Sequence, residues 1–328
     1  MKAPDGPLVS VITPARNMER FLRATMQSVL EQTLRDFEYL VVDNASDDAT
    51  ASIVESFARR DARVRLLYEP TLGSGAARNR GLAEARGRYL AFVDGDDEWL
   101  PAKLEIQVRQ LSQLPSRYAG VFCRSVTTTE LGDELFVYRP PAGTYDRTAF
   151  LAWCNPAGNG SSFLVRREAY EQAGGFDEQL TNLLDMEWLL RLLRDSEHPL
   201  LQGTVNELVR YRQRRGSIST DSSGRMEALE DVIARFDDQH EPFVWLRPAL
   251  MAYRAGCPAH GRRWARRAAA AGWGRLLRSP DGRKLLLHTL RTTARGGPGR
   301  NEPATGPTLR PESVPAAVGR SALAADAG

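Results

Sequence analysis

The sequence predicts an α/β protein: a doubly wound, mostly parallel sheet flanked by helices, with a helical extension at its C-terminal end. Three observations carry this prediction. Across the first 125 residues, apolar runs of strand length alternate with helix-length amphipathic segments, the pattern that strand–helix–strand units with right-handed crossovers produce. The apolar runs are nearly continuous rather than alternating, as strands covered on both faces require. Finally, 42% apolar and 26% charged residues in a chain of 328 describe an ordinary globular interior and exclude a collagen-like or wholly disordered chain.

In order along the chain, residues 8–13 (LVSVIT), 37–43 (FEYLVVD), 64–68 (VRLLY), 89–94 (YLAFVD) and 120–123 (GVFC) read as strands. Between them, residues 18–30 place Phe21, Leu22, Met26, Val29 and Leu30 on one helix face. Residues 46–59 open on Ser46 as an N-cap and group Ile53, Val54 and Phe57, while residues 104–114 follow Pro101, a favoured first-turn residue. From 126 to 230 the pattern is mixed. A polar stretch with Pro140 and Pro141 leads to a Gly/Asn-rich loop at 155–162, a short strand at 163–166 and a helix at 185–194. Residues 242–294 read as helical and rich in alanine and arginine; after Gly296 the chain is Pro/Gly/Ala-rich without periodicity and is expected to be disordered.

The net charge of +3 conceals an asymmetry. Residues 242–296 hold 12 Lys/Arg against Asp281 alone, a charge of +11, and the last 32 residues are neutral, which leaves −8 on residues 1–241. Such a basic segment, with Trp264 and Trp273 among its arginines, suits either an anionic membrane surface or docking on the acidic body of its own chain. The longest uncharged apolar runs, such as Leu90 to Val93, fall far short of the roughly 20 residues a membrane span needs. The first eleven residues hold no apolar signal core, so a cytoplasmic location is expected, with peripheral contact at the inner membrane face if the basic segment binds lipid. Cys123, Cys154 and Cys257 are too few and too scattered for a disulfide framework or a zinc site.

In an open parallel α/β sheet, ligands bind at the carboxyl ends of the strands. Here Thr13 closes the first strand, Asp43 and Asn44 the second, and Asp94-Gly95-Asp96-Asp97 the fourth. Three carboxylates within four residues repel one another unless a cation or solvent lies between them. Hard oxygen ligands in a D-x-D array suit Mg²⁺ or Mn²⁺ completed by substrate phosphates. The competing reading is a solvated acidic turn, and the buried strand before it favours the metal. Asp43-Asn44 also suits a turn, and Arg78 in GAARNRG (75–81) suits either a site or a solvated surface.

The segments VSVITPARN (9–17), FEYLVVDNAS (37–46), GAARNRGLAEARGRYLAFVDGDD (75–97) and GGFDEQL with DMEWLLRL (174–192) together resemble family-2 glycosyltransferases of the GT-A fold. The resemblance covers residues 8–220. It implies inverting transfer of a sugar from a nucleoside-diphosphate donor, UDP- or dTDP-linked, to an acceptor hydroxyl, assisted by Mg²⁺ or Mn²⁺. It further implies cell-surface glycan or glycolipid biosynthesis, with a glycan or lipid-linked acceptor. By position, Thr13 and Asn44 would line the nucleobase pocket and Asp43 would support that loop. Asp94 would lie near the ribose or order the turn, Asp96 would coordinate the metal, and Asp97 would help or act from behind. Asp185 matches the general base, and Arg212 and Arg214 match the loop that closes on the diphosphate; Arg78 is a further candidate for cofactor binding. The chain departs from the family pattern at Asn44, often Asp; at Leu184, often Glu; and in YRQRRGSIS (211–219), where arginines replace a metal-reaching His. The expected organisation is a GT-A domain over 1–230, with a nucleotide half (8–125) and an acceptor half (126–230). A basic helical extension (231–295) and a tail (296–328) follow.

Glu187 stands four residues before Arg191, which favours a helical ion pair over a catalytic role, and Trp188 is expected in the core. Asp177 in GGFDE is expected to fix a turn, and the 155–162 loop either meets the acceptor or simply connects. Two other enzyme classes fit less well. A nucleotidyltransferase needs a basic Gly-rich loop after the first strand, where Thr13-Pro14-Ala15-Arg16-Asn17 stands, and no G-x-G-x-x-G marks a dinucleotide oxidoreductase. A non-catalytic nucleotide-sugar-binding module remains the alternative of a different class. Nucleic-acid binding is disfavoured by the acidic body.

Overall fold

The computed structural model describes residues 6–214, 222–237 and 242–272. Four strands, β1 (Val9–Ala15), β2 (Phe37–Asp43), β3 (Val64–Tyr68) and β4 (Tyr89–Phe92), pair in parallel in the order β3-β2-β1-β4. Their register sets Ala15 beside Asp43 and Asp43 beside Tyr68, so the chain leaves neighbouring strands at one edge. Helices α1 (Leu22–Leu30), α2 (Thr50–Ala58) and α3 (Ser74–Glu84) connect these strands. Gly81 lets α3 lie close on β1: a Cβ there would come within 2.5 Å of Ile12 Cγ2.

Beyond β4 the sheet becomes mixed. After β5 (Glu98–Trp99) and α4 (Lys103–Gln113) come β6 (Tyr118–Thr128), β7 (Glu134–Tyr138), β8 (Gly143–Tyr145) and α5 (Arg147–Trp153). A short 3-10 turn (Gly160–Ser162), β9 (Phe163–Arg166), α6 (Arg167–Ala173), α7 (Leu184–Asp195) and β10 (Leu200–Arg212) complete it. Strand β9 lies antiparallel between β4 and β6, and β10 runs parallel to β6 while taking β5 and β8 antiparallel. Helices α8 (Ser222–Phe236), α9 (Pro242–Arg254) and α10 (Pro258–Ala270) follow.

Side-chain alternation divides the interior into two layers, as a sheet covered on both faces demands. Val9, Val11, Tyr39 and Val41 pack with Leu22, Val54 and Leu104 of α1, α2 and α4. Ile12, Leu40, Val42 and Phe92 pack on the other face with Trp188 of α7, and Met226, Trp245 and Trp264 of α8–α10 belong to this same cluster. The C-terminal helices thus share the body's core.

Several expected boundaries shift. Helix α1 starts at Leu22 rather than Met18, and α2 at Thr50 rather than Ser46. Ser46 does not cap α2; its hydroxyl accepts from the Asn17 amide, while Asp48 Oδ1 accepts from the Thr50 amide at 2.8 Å. The Gly-bounded segment 75–81 lies within α3, and β10 runs through a stretch where the apolar pattern was mixed. The three cysteines are free. Among the described residues no helix is long and apolar enough to cross a membrane. The expected tail at 296–328, the 273–295 part of the basic segment and residues 215–221 of the closing loop lie outside the described residues.

Candidate active site

The carboxyl ends of β1, β2 and β4 open into a cleft of about 550 Å³, the size of a small-molecule site. One wall is Pro14 to Arg16, Asn44 and the start of α3 (Gly73, Ser74, Arg78); the floor is Asp94 to Asp96. The opposite wall is the 155–160 loop and residues 181–185 leading into α7, with Arg212 and Arg214 from the end of β10 and Arg225 from α8.

At the first wall, the Asn44 side chain is used within the protein. Its Nδ2 donates to the carbonyls of Glu69 (2.9 Å) and Thr71 (2.7 Å), and its Oδ1 accepts from the Gly73 amide (2.9 Å). This fixes the amide orientation and pins the 69–73 loop, which delivers the N-terminus of α3 to the cleft. One lone pair of Oδ1 is left for a ligand. Thr13, expected to line the nucleobase pocket, is fully buried, its hydroxyl bonded to Tyr39 at 3.0 Å, and does not line the cleft. Asp43, at the end of β2, is also buried, and among the described residues its Oδ1 has no hydrogen-bond partner.

The acidic turn is held by arginines. Arg78 reaches Asp94 Oδ1 at 2.5 Å, touches the Ser74 hydroxyl, and lies 5.5 Å over the Phe176 ring. Arg214 Nε meets Asp96 Oδ2 at 2.5 Å. Arg212 spans the turn: its amide donates to Asp97 (2.9 Å), and its guanidinium donates to the carbonyls of Asp96 (2.9 Å) and Glu130 (2.7 Å) and pairs with Glu98. Arg212 and Arg214, expected to close on a diphosphate, bind the acidic turn and order it.

The three aspartates have separated roles. Asp97 is fully buried, bound by Ser161 Oγ at 2.5 Å and by the Arg212 amide, and does not line the cleft. The structure therefore places it as a tie between the turn, β10 and the 3-10 turn, outside the cleft lining. Burial, then the charges of Asp96 and Asp94, push its carboxyl well above the usual range. Asp96 does line the cleft. Its carboxyl is also pushed up, by burial first and by Asp94 next, against the opposing pull of Arg214. Below the turn lies a buried Lys103, which donates to Gln107 (2.8 Å) and sits 3.9 Å over the Trp99 ring; burial lowers its ammonium to about 8.

On the far wall, Asp185 is the second residue of α7, whose N-cap, Leu183, is in a left-handed conformation (φ 57°). Its Oδ2 accepts from Asn155 Nδ2 at 3.1 Å. Asn155 is itself left-handed (φ 64°) and accepts the Gly158 amide on Oδ1. Glu187 is buried against Arg191 in a two-bond pair (2.9 Å each), so it leaves Asp185 as the cleft's carboxylate on α7. Trp188 is fully buried and stacks on Phe176 at 4.6 Å, which locks the helix carrying Asp185. Asp177 caps its own turn through the Gln179 amide and pairs with Arg235.

Sequence reasoning missed Arg225 and residues 181–183 of the cleft, and left the 155–162 loop undecided. No local signal marks Arg225, which reaches the cleft only because α8 packs on α7.

Residues 10–174, half of the chain, match the family described as Glycosyl transferase family 2. The chain belongs to this family. This family-2 glycosyltransferase is 36% identical over 143 residues to the putative teichuronic acid biosynthesis glycosyltransferase TuaG of Bacillus subtilis, covering 43% of the chain and 56% of TuaG. It is 43% identical over 108 residues to the UDP-Glc:alpha-D-GlcNAc-diphosphoundecaprenol beta-1,3-glucosyltransferase WfgD of Escherichia coli, covering 33% of the chain and 42% of WfgD. The chain thus spans about half the length of these curated relatives. Its GT-A fold is shared with S. aureus TarS 1–349 in complex with UDP-GlcNAc (TM-score 0.56, 17% identity, 88% of this chain and 81% of that one). The mannosyltransferase PcManGT of Pyrobaculum calidifontis, in complex with GDP-Man and Mn2+, is similar at TM-score 0.54 and 20% identity, again over 88% and 81%.

Among the described residues no three acidic, His or Cys side chains form a ready metal cage. What the turn offers is one cleft-facing, desolvated carboxylate, Asp96, beside a second, Asp94. That set fits a hard divalent ion held by one or two carboxylates plus substrate phosphates, though not an all-protein site.

Proposed function

We propose that this family-2 glycosyltransferase moves a sugar, with inversion, from a UDP- or dTDP-linked donor to a hydroxyl of a cell-surface glycan precursor. The printed activities of TuaG and WfgD support the glycan class. The donor class is supported by the UDP-GlcNAc complex of TarS. The observation that carries the mechanism is that Asp96 and Asp185 line one cleft from separate elements, the β4 turn and the α7 N-terminus.

In this reading the nucleoside lies against Pro14–Arg16, Asn44 and Gly73, and the diphosphate lies over the arginine-braced turn. Asp96, with Asp94 beside it, would hold Mg²⁺ or Mn²⁺, which when bound supplies charge neutralisation to the diphosphate. Arg214 and Arg212 add preorganised positive charge at the same place. Asp185, held by Asn155, takes the proton of the acceptor hydroxyl. The hydroxyl oxygen forms a bond to the anomeric carbon, the carbon–oxygen bond to the diphosphate breaks, and the nucleoside diphosphate leaves with that electron pair. Attack opposite the leaving group inverts the anomeric centre.

The test separates the two walls. Asp185→Asn should lower turnover by about 10²- to 10⁴-fold, the usual worth of a general base, while calorimetric donor affinity stays within about twofold. Asp96→Ala should abolish the Mn²⁺-dependent part of nucleotide binding. Undiminished turnover in the first variant, or unaltered Mn²⁺ dependence in the second, refutes the corresponding role.

A further inference from the structure

Five arginines line the cleft, and they are not equivalent. Arg78, Arg214 and Arg212 are committed to Asp94, Asp96 and Glu98. Arg16 and Arg225 have no hydrogen-bonded or ion-paired acid among the described residues. Arg16 follows directly on β1 and stands at the nucleoside end. Arg225 stands at the other end. It lies in the first turn of α8, half-buried, and its charge acts on the Tyr138 hydroxyl and the Cys154 thiol. Tyr138 donates to the Asn155 carbonyl at 3.0 Å, and Asn155 holds Asp185. The charge of Arg225 is thus felt at the tyrosine that supports the wall carrying Asp185.

Arg247 of α9 strengthens the field there. Its guanidinium lies 4.3 Å over the Trp153 ring and acts on the same tyrosine and thiol. Burial raises the Cys154 thiol to about 11 in spite of both cations, so no thiolate is present to balance them at neutral pH. A partly desolvated guanidinium without a counter-charge is unfavourable unless a ligand brings one. Its planar fork of donors matches an oxyanion. The carboxylates of the turn do not serve: Asp94 and Asp96 are each paired with another arginine, and Asp97 is buried outside the cleft lining.

We infer that Arg225 recognises an oxyanion on the acceptor, so that the sugar this enzyme extends carries a phosphate or a carboxylate close to the reacting hydroxyl. The inference rests on the proposal that Asp185 marks the acceptor side. It divides the cleft's positive charge by substrate: the arginines of the turn and Arg16 face the donor, and Arg225 faces the acceptor.

The experiment uses the full chain with its donor side filled by UDP and Mn²⁺, or by dTDP and Mn²⁺ where that binds better. Three octyl-linked glucose probes are titrated calorimetrically: neutral octyl glucoside, octyl glucuronide, and glucosyl diphospho-octane. At least one anionic probe should bind tenfold or more tightly than the neutral one, and which of them does so distinguishes carboxylate from phosphate. Arg225→Gln should bring that preference within about twofold of unity, Arg225→Lys should keep most of it, and nucleotide affinity should stay within twofold in both. A wild-type chain without charge preference, including one that binds no probe, overturns the inference. So does a preference that survives Arg225→Gln. An equal loss of nucleotide affinity would also overturn it, because Arg225 would then serve the donor. Failure of the wild type to bind either nucleotide overturns the donor reading itself, which is a separate result.

Discussion

Asn44 holds its loop with donors that a carboxylate lacks. The family pattern often places Asp here, and the resemblance sets Asn44 in the nucleobase pocket. The structure shows why an amide suits this chain: two carbonyls, of Glu69 and Thr71, converge on Nδ2. Asn44→Asp would set a negative charge against both, and lost or reversed hydrogen bonds of this kind cost about 2 kcal/mol. The variant should unfold at lower urea concentration and bind nucleotide more weakly; unchanged stability would show that the 69–73 loop does not depend on this clamp. Asn155 calls for a different measurement. Asn155→Ala removes the bond that orients Asp185, so turnover should fall about tenfold or more at nearly constant nucleotide affinity. An unaffected turnover would mean that α7 alone sets the carboxylate. At this scale the residue types of the site were legible, since Asn44, Arg78, Asp94, Asp96, Asp185, Arg212 and Arg214 all line the cleft. Thr13, Asp43 and Asp97 do not, because one residue of strand or turn phase decides whether a polar side chain faces ligand or interior, and spacing alone does not reveal that phase.

Strands β2, β3 and β9 were readable to the residue because each is a short, mostly apolar run bounded by polar turns. Helix α3 was not: SGAARNRGLAE has little apolar periodicity, and it buries glycine and alanine against β1 where most helices bury leucine. Nor was β10, whose register against β6 shifts three times and whose exposure pattern is correspondingly irregular. The second residue of β2 carries a prediction of its own. Glu38 is nearly fully buried at the end of the sheet away from the cleft, where it meets Ser10 Oγ (2.7 Å), the Arg86 amide (2.6 Å) and the Arg86 guanidinium (2.9 Å). Burial alone would raise its carboxyl, but these hydrogen bonds outweigh burial and hold it below its ordinary 4.5. A depressed carboxylate stabilises the fold fully above its unfolded value and loses that contribution as pH falls through the folded one. Stability should therefore decline below about pH 4.5 with a slope that Glu38→Gln lacks. At pH 7 the variant should be about 2 kcal/mol less stable, the range for hydrogen bonds to a charged group. Urea titrations at pH 3 to 7 check both, and an identical acid limb in the variant would exclude Glu38 as its source.

The acidic body and basic extension visible in the charge arithmetic meet in part within the chain itself. Glu230 of α8 pairs with both Arg263 and Arg267 of α10, at 3.0 Å to Arg267, and Arg262 and Arg266 stay exposed on the same helix. The apolar side of α8–α10 tells more. Met226, Val232, Ile233, Trp245 and Trp264 are buried with Phe92, Phe163 and Trp188, the aromatic group beneath the cleft. A detachable membrane anchor would keep a core of its own; these helices close the core of the sheet. Ending the chain after Arg214 would expose that aromatic cluster and remove Arg225 from the cleft. Burial of one such large side chain is worth about 1.5–3 kcal/mol, so losing the cover of several is comparable with the whole stability of a typical domain, about 5–15 kcal/mol. The truncated chain should aggregate or bind a hydrophobic dye at 25 °C and lose nucleotide affinity, while the full chain unfolds in one cooperative step. If residues 1–214 were instead soluble, with the same melting temperature and nucleotide affinity as the full chain, α8–α10 would be a separable unit and their arginines would be free to serve a surface elsewhere.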